Sequence, residues 1–233
     1  MDKIKKVKSI SIWIFLVPFL AINGCLILIT QFHELFPNPE EIIHWTFPYI
    51  DGGASISRAA RPYPSWLIFK PAMFLTSFLL IKYWLYNRDI IIYINKDHKY
   101  LKKIIFFGVS SAIALTIHSI FLGINFDNDL YKLFRRVVML LFIIFEITAQ
   151  AYLVIALYSF KNKLLKYINI KILRLKLILV SILVIVAIIC VPIISMPGNQ
   201  FKFLKHALEW DYFLGVITFY MLTFLMWKNK KDV

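Results

Sequence analysis

The chain has 233 residues, 60% of them hydrophobic, and carries a formal net charge of +14 from 27 Lys and Arg against 13 Asp and Glu. A water-soluble domain is about 45–50% apolar; here the mean hydropathy is +0.72, and the excess is gathered in blocks of roughly 20 residues, the length that crosses about 30 Å of hydrocarbon. This excludes a soluble globular enzyme. Because Lys and Arg sit between the apolar blocks, it also argues for a membrane protein and against nucleic acid as the partner of the positive charge.

The first apolar block, about 9–30, follows Lys3, Lys5, Lys6 and Lys8. It is longer than the h-region of a signal peptide and no small-x-small cleavage site follows it, so it reads as a retained first helix. A loop at 31–64, rich in aromatics, prolines and polar residues, leads to a second block at about 65–86. Further blocks follow at 104–123, 137–160, 175–194 and 208–227. Each is apolar on nearly all sides, as expected of a helix with lipid on one face and protein on the other. The short connection at 124–134 makes the third and fourth helices antiparallel neighbours. No internal repeat or low-complexity linker interrupts the pattern. The expectation is an all-α polytopic membrane protein, one domain over 1–233 built as a six-transmembrane-helix bundle.

Orientation follows from the basic residues. The start, the segments 87–103 and 161–176, and the tail with Lys228, Lys230 and Lys231 alternate correctly for one side and together hold eighteen Lys and Arg. The remaining loops hold seven: Arg58, Arg61, Lys132, Arg135, Arg136, Lys202 and Lys205. The positive-inside rule therefore places both termini in the cytoplasm, in a membrane whose identity the sequence leaves open. Lys70 and Lys82 lie near the ends of the second block, where long side chains snorkel.

Three groups of residues bear on function. In the first loop, Asp51-Gly52-Gly53 is a turn signal, and Arg58 and Arg61 offer guanidinium forks that match phosphate oxygens. The same loop also fits an ordinary interfacial segment, with Trp45, Tyr49, Tyr63 and Trp66 as its aromatic belt. At the start of the sixth helix, His206, Glu209 and Trp210 stand at i, i+3 and i+4 and share a face. The helix dipole alone accounts for a carboxylate there. Asp51, Arg58, Arg61, His206, Glu209 and Trp210 all fall at the outer interface and form a candidate ligand site for a lipid headgroup. The third group is intramembrane. His118 and Glu146 are ionisable residues inside predicted spans, a costly placement that marks candidate functional groups. Ser111 lies seven residues before His118 and Gln150 four after Glu146. An antiparallel third and fourth helix then bury one polar seam of Ser111, His118, Glu146 and Gln150, serving either a ligand or interhelical hydrogen bonding.

No P-loop, GxSxG or HExxH motif occurs, and no catalytic residue is assigned. Cys25 and Cys190 fall inside apolar blocks and read as small hydrophobic side chains. Their spacing to histidine resembles no zinc site, so neither a metal nor a cofactor is expected.

Two short segments carry a family likeness. The run Phe47-Pro48-Tyr49-Ile50 in a sizeable first outer loop is followed by Gly52 and Gly53 and by a second helix that opens near Trp66. The run Ala207-Leu208-Glu209-Trp210 opens the last helix. In these segments and in its six-helix topology the chain resembles the Frag1/DRAM/Sfk1 membrane proteins. Asp51 stands where that family often has Ser, and Glu146 is the buried polar group of a helix in which some members carry His. The resemblance implies lipid-related membrane biology, with membrane lipids as ligands and a membrane-protein partner as a further prospect. Three functions are carried forward: a non-enzymatic lipid-binding or regulatory factor, a lipid-modifying enzyme of the outer leaflet using His206, Glu209 and His118 as acid/base groups, and a small-solute transporter.

Overall fold

A computed structural model describes residues 2–124, 128–195 and 201–228. Lys230 and Lys231 of the predicted basic tail lie outside these residues, as do parts of the connections that follow α4 and α7 and the side chains of Lys132 and Cys190. The described residues form eight α-helices and no strand: α1 (Asp2–Gln31), α2 (Ile56–Ala60), α3 (Ser65–Ile94), α4 (Leu101–Phe121), α5 (Asp129–Ser159), α6 (Lys161–Leu164), α7 (Ile170–Ser195) and α8 (Lys202–Met226). Six of them, α1, α3, α4, α5, α7 and α8, are long and apolar enough to cross a membrane.

Most of the long helices outrun the apolar blocks that predict them. α1 begins at Asp2 rather than near residue 9, so its four lysines are helical. α3 continues to Ile94 rather than 86, and α5 begins at Asp129 rather than near 137. At 30 residues and about 1.5 Å per residue, α1 and α3 each span about 45 Å, well beyond the apolar stretch. Hydropathy falls at the first Lys or Arg, whereas helix propensity does not, because Lys, Arg and Leu are all good helix formers. The extra turns carry polar contacts between helices, such as Lys3 Nζ to Asp89 Oδ2 at 2.6 Å.

The six long helices form a closed ring in chain order. α1 packs on α3, α3 on α4, α4 on α5, α5 on α7 and α7 on α8, and α8 returns to α1. Close approach within the ring depends on small residues at specific places. A Cβ on Gly108 of α4 would run into the Trp84 indole of α3. The side chains of Tyr83, Trp84, Tyr220 and Phe219 are fully or almost fully buried among the helices, whereas Leu20, Ile27, Phe78, Ile113, Ile185 and Ile188 are exposed on the outward faces. This is the reverse of a soluble bundle, where the outward faces are polar.

The ring has two different ends. At one, the lysine-rich start of α1 meets the end of α8. Lys8 Nζ donates to the Trp227 carbonyl oxygen at 2.7 Å. Asn169 N–H reaches Met226 O at 2.8 Å, and Lys228 N–H reaches Tyr167 O at 2.9 Å. At the other end, the 34-residue first loop folds back over the helices. It contains two 3₁₀ turns, His33–Leu35 and Pro39–Glu41, and the short α2. The Ser55 hydroxyl caps α2 by accepting from Arg58 N–H at 3.2 Å. α2 packs against α1, α3 and α8, so this loop closes one mouth of the ring.

Candidate functional site

The first loop is tied to the start of α8 by side chains that sequence reasoning assigns to a ligand. His206 Nδ1 lies 2.9 Å from the Gly52 carbonyl oxygen. A carbonyl can only accept, so this nitrogen carries the proton and the bond fixes the Nδ1–H tautomer. Trp210 is fully buried, and its Nε1–H donates to Ala54 O at 2.8 Å. The Glu209 carboxyl accepts from the backbone N–H groups of Ile56 and Ser57 in the first turn of α2. Tyr49 packs edge-on against Trp210, with ring centroids 5.0 Å apart, and its hydroxyl donates to Asn23 Oδ1 of α1 at 3.2 Å. Burial raises the Tyr49 pKa, and the Asn23 bond opposes that rise.

Gly52 makes the approach possible. Its φ is +62°, and a Cβ there would overlap the backbone of Phe203. An L side chain at this position would meet both the conformational and the steric penalty. Asp51 builds the same turn. Its carboxylate accepts from the Thr46 hydroxyl, from Phe47 N–H at 2.8 Å and from Gly53 N–H at 2.7 Å. Burial raises the Asp51 pKa, but these three bonds outweigh it and hold the carboxyl below its ordinary value. The polar atoms of Asp51, His206, Glu209 and Trp210 named here are therefore engaged within the chain. The two segments that carry the family likeness, Phe47–Ile50 and Ala207–Trp210, are the two sides of this clamp.

Beside the clamp lies an open cavity of about 400 Å³, lined by His44, Trp45, Thr46, Asp51, Arg58 and Phe203 among others. Arg58 is exposed and enters no salt bridge among the described residues. Its guanidinium is the cation of the cavity. Asp51 Oδ2 accepts one hydrogen bond and retains a further lone pair. Trp45 is 77% exposed. Of the six predicted residues of this site, only Asp51 and Arg58 line the cavity. Arg61 does not join them. It caps the end of α2, its carbonyl sits over Gly123 at the end of α4, and the charges of Arg135 and Glu41 act on it in opposite directions.

The predicted intramembrane seam is present in three of its four members. Ser111 Oγ donates to Glu146 Oε2 at 2.6 Å. Gln150 Nε2 donates to Glu146 Oε1 at 3.0 Å and to Val216 O at 3.2 Å. A residue not foreseen completes it: the Tyr220 hydroxyl of α8 also donates to Glu146 Oε1. Glu146 is 1% exposed and receives donors from three helices. His118 is not part of the seam. It lies seven residues from Ser111, about 10 Å along the helix and beyond side-chain reach of Glu146. It stands instead beside Arg135, at the first-loop end of the α4–α5 pair, and its Nδ1 is buried with no partner.

The sequence reading also misplaces one cation. Lys176, counted with the basic loops, lies inside α7 and is fully buried. Its Nζ donates to Thr223 Oγ1 at 2.6 Å and sits 3.8 Å from the Phe219 ring centroid. Thr223 in turn meets the Tyr83 hydroxyl at 3.3 Å, and the Tyr83 ring packs on Tyr220. The signal was the start of α7 at Ile170: with the helix begun there, Lys176 falls on the face toward α8. Among the described residues no group of three metal-ligating side chains occurs. Comparison with known proteins finds no matching family model, no matching curated protein and no matching solved structure.

Proposed function

We propose that the chain is an integral membrane protein of the Frag1/DRAM/Sfk1 type, with both termini in the cytoplasm, and that it binds a lipid headgroup at its outer face without catalysing a reaction. The ring of six apolar helices with exposed aliphatic outer faces supports insertion. The meeting of the α1 start with the α8 end supports termini on one side, and the excess of Lys and Arg at that end supports the cytoplasm. Contact between the Phe47–Ile50 and Ala207–Trp210 segments supports the family reading, because two distant motifs that form one clamp have a shared structural reason to occur together.

The observation that carries the ligand reading is the cavity under Arg58. A guanidinium fork suits a phosphate. The spare lone pair of Asp51 and the exposed Trp45 ring suit an ammonium group. The cavity therefore fits a zwitterionic phospholipid head, with Arg58 on the phosphate and Asp51 and Trp45 on the amine. The engagement of His206 and Glu209 with backbone atoms favours binding over the acid/base alternative.

Native mass spectrometry of gently extracted protein tests this. The expected result is a retained zwitterionic phospholipid that Arg58→Ala loses; retention unchanged in Arg58→Ala would remove the site. Topology is tested separately in a Cys25→Ala, Cys190→Ala background. A cysteine placed at Asn38 reacts with an impermeant reagent from outside, and one at Asn162 does not. Reversed labelling would defeat the orientation.

A further inference from the structure

The outward seam between α5 and α7 holds an open groove of about 280 Å³. Val154 and Val180, almost fully buried, form its floor. Ala151 of α5 and Ser181 of α7 contribute small side chains where larger ones would fill it. The Ser181 hydroxyl donates to Leu177 O at 2.9 Å in its own helix, so its proton is already used. The rest of the lining is apolar. α7 has 26 residues and is about 39 Å long, about 9 Å more than the hydrocarbon core of a bilayer. On this helix the groove runs from Leu177 to Ile185, about 12 Å, and lies within the hydrocarbon.

Both walls of the groove lead to cations at the end of the ring that holds the termini. Arg174 is exposed and stands three residues before Leu177 and seven before Ser181, on the face of α7 that lines the groove. Side chains on a helix lean toward its N-terminus, so the Arg174 guanidinium reaches out of the hydrocarbon toward that end. On α5, Tyr158 continues the lining face, three residues after Ile155 and seven after Ala151. Lys161 Nζ lies 4.6 Å from the Tyr158 ring centroid. Between Glu146 and Glu209 the sequence contains no Asp or Glu, so the two walls and their connection bring only positive charge to this mouth. We propose that the groove binds one anionic phospholipid, with an acyl chain between α5 and α7 and its phosphate on Arg174 and Lys161. A guanidinium fork recognises phosphate through charge-assisted hydrogen bonds, and basic mouths between membrane helices select anionic heads. A lipid of this class satisfies the apolar groove and the cations above it together. The inference rests on the membrane-embedded reading and not on the Arg58 cavity, which lies at the opposite end of the ring. Reversed topology would move the site to the other leaflet without removing it.

The test places wild type, Arg174→Gln, Arg174→Lys and Ser181→Phe in nanodiscs of phosphatidylglycerol and phosphatidylcholine in equal parts. Retained lipid is counted by native mass spectrometry after gentle extraction. Wild type is expected to retain phosphatidylglycerol. Arg174→Gln weakens that retention by about tenfold, the scale of one lost charge-assisted bond. Arg174→Lys keeps the charge but not the fork and falls between. Ser181→Phe fills the groove and loses the lipid with Arg174 in place, and its thermal midpoint in lipid-free detergent shows whether it folds as wild type does. A photoreactive p-benzoylphenylalanine in place of Ile185 reports the occupant with Ala151 and Ser181 unchanged. The same probe in place of Phe78, exposed on the outward face of α3, reports bulk lipid. The Ile185 probe is expected to cross-link phosphatidylglycerol several-fold above the share found at Phe78, and Arg174→Gln returns it to that share. An equal share at both positions in wild type, or a cross-link from Ile185 to a second protein chain, overturns the site. So does phosphatidylglycerol retention that is unchanged in Arg174→Gln or that is lost in Arg58→Ala. Loss of phosphatidylcholine in Arg58→Ala bears on the outer cavity alone.

Discussion

The clamp between the first loop and α8 and the polar seam around Glu146 spend buried polar residues in different ways. In the clamp, His206, Glu209 and Trp210 bond to backbone atoms of a loop that has no repeating structure of its own. Each bond holds a chain segment in place. In the seam, Ser111, Gln150 and Tyr220 bond to one carboxylate, so three helices share a single acceptor. Loss of one clamp bond frees a stretch of loop, whereas loss of the seam's acceptor removes three bonds at once. His206, Glu209 and Glu146 are all engaged within the chain, and of the clamp's charged residues Asp51 alone also lines the cavity. Three of the arginines that enter no salt bridge among the described residues, Arg58, Arg61 and Arg135, lie outside both. A polar residue in a predicted functional position is therefore a poor guide to binding until its partners are known.

The largest expected effect is at Glu146. Glu146→Leu strands the Tyr220 hydroxyl and weakens the bonds of Ser111 and Gln150, which keep Gly108 O and Val216 O as alternatives. A loss of about 2–4 kcal/mol is expected, read as a lower thermal midpoint in protein that still inserts. Glu146→Gln retains an acceptor and loses less. Equal midpoints for Glu146→Leu and wild type would show that the seam does not join the helices.

Gly52→Ala strikes the clamp. Positive φ and the Phe203 backbone both oppose the added methyl group, and a cost of about 1–3 kcal/mol is expected. It appears as faster proteolysis within 31–64, with α3 to α8 protected as before. Cleavage that spreads into the helices would mean the clamp also supports the ring.

Trp210→Phe separates ring packing from the hydrogen bond. It keeps the contact with Tyr49 and removes the donor to Ala54 O, so the loss is about 1 kcal/mol. A loss as large as that of Gly52→Ala would show the indole bond to be the dominant tie.

Acid acts most weakly. The Asp51 carboxyl has a lowered pKa in the fold, so its contribution is complete above its ordinary value near 3.8 and fades as pH falls through the lower folded value. Loop accessibility to protease or label is expected to be flat from pH 5 to 7 and to rise below about pH 4, and Asp51→Asn abolishes that dependence. A rise already complete at pH 6 would assign it to a histidine.

How much of this was legible follows from range. Six apolar blocks are a local signal, and hydropathy carries it directly. Glu146, Ser111 and Gln150 were legible as a seam because i, i+4 spacing and a short connection between α4 and α5 are also local. Tyr220 was not, since its approach to Glu146 depends on α8 completing the ring beside α1 and α7. Lys176 was missed because a basic residue at the edge of an apolar block reads as loop until the helix start is known. In the clamp, helical spacing put His206, Glu209 and Trp210 on one face. What they would face, the backbone of Gly52, Ala54 and Ile56, is set by the folding of a 34-residue loop that no periodicity describes. Arg58 and Arg61 are three residues apart, yet Arg58 lines the cavity while Arg61 sits over Gly123 at the end of α4.

The most direct test of the division between clamp and ligand site is to measure thermal midpoint and phospholipid retention together in Arg58→Ala and His206→Ala. Arg58→Ala is predicted to melt with wild type and to lose the retained phospholipid. His206→Ala is predicted to melt lower while its folded fraction keeps the lipid. Lipid lost from folded His206→Ala and kept by Arg58→Ala would contradict the account and return His206 to the ligand.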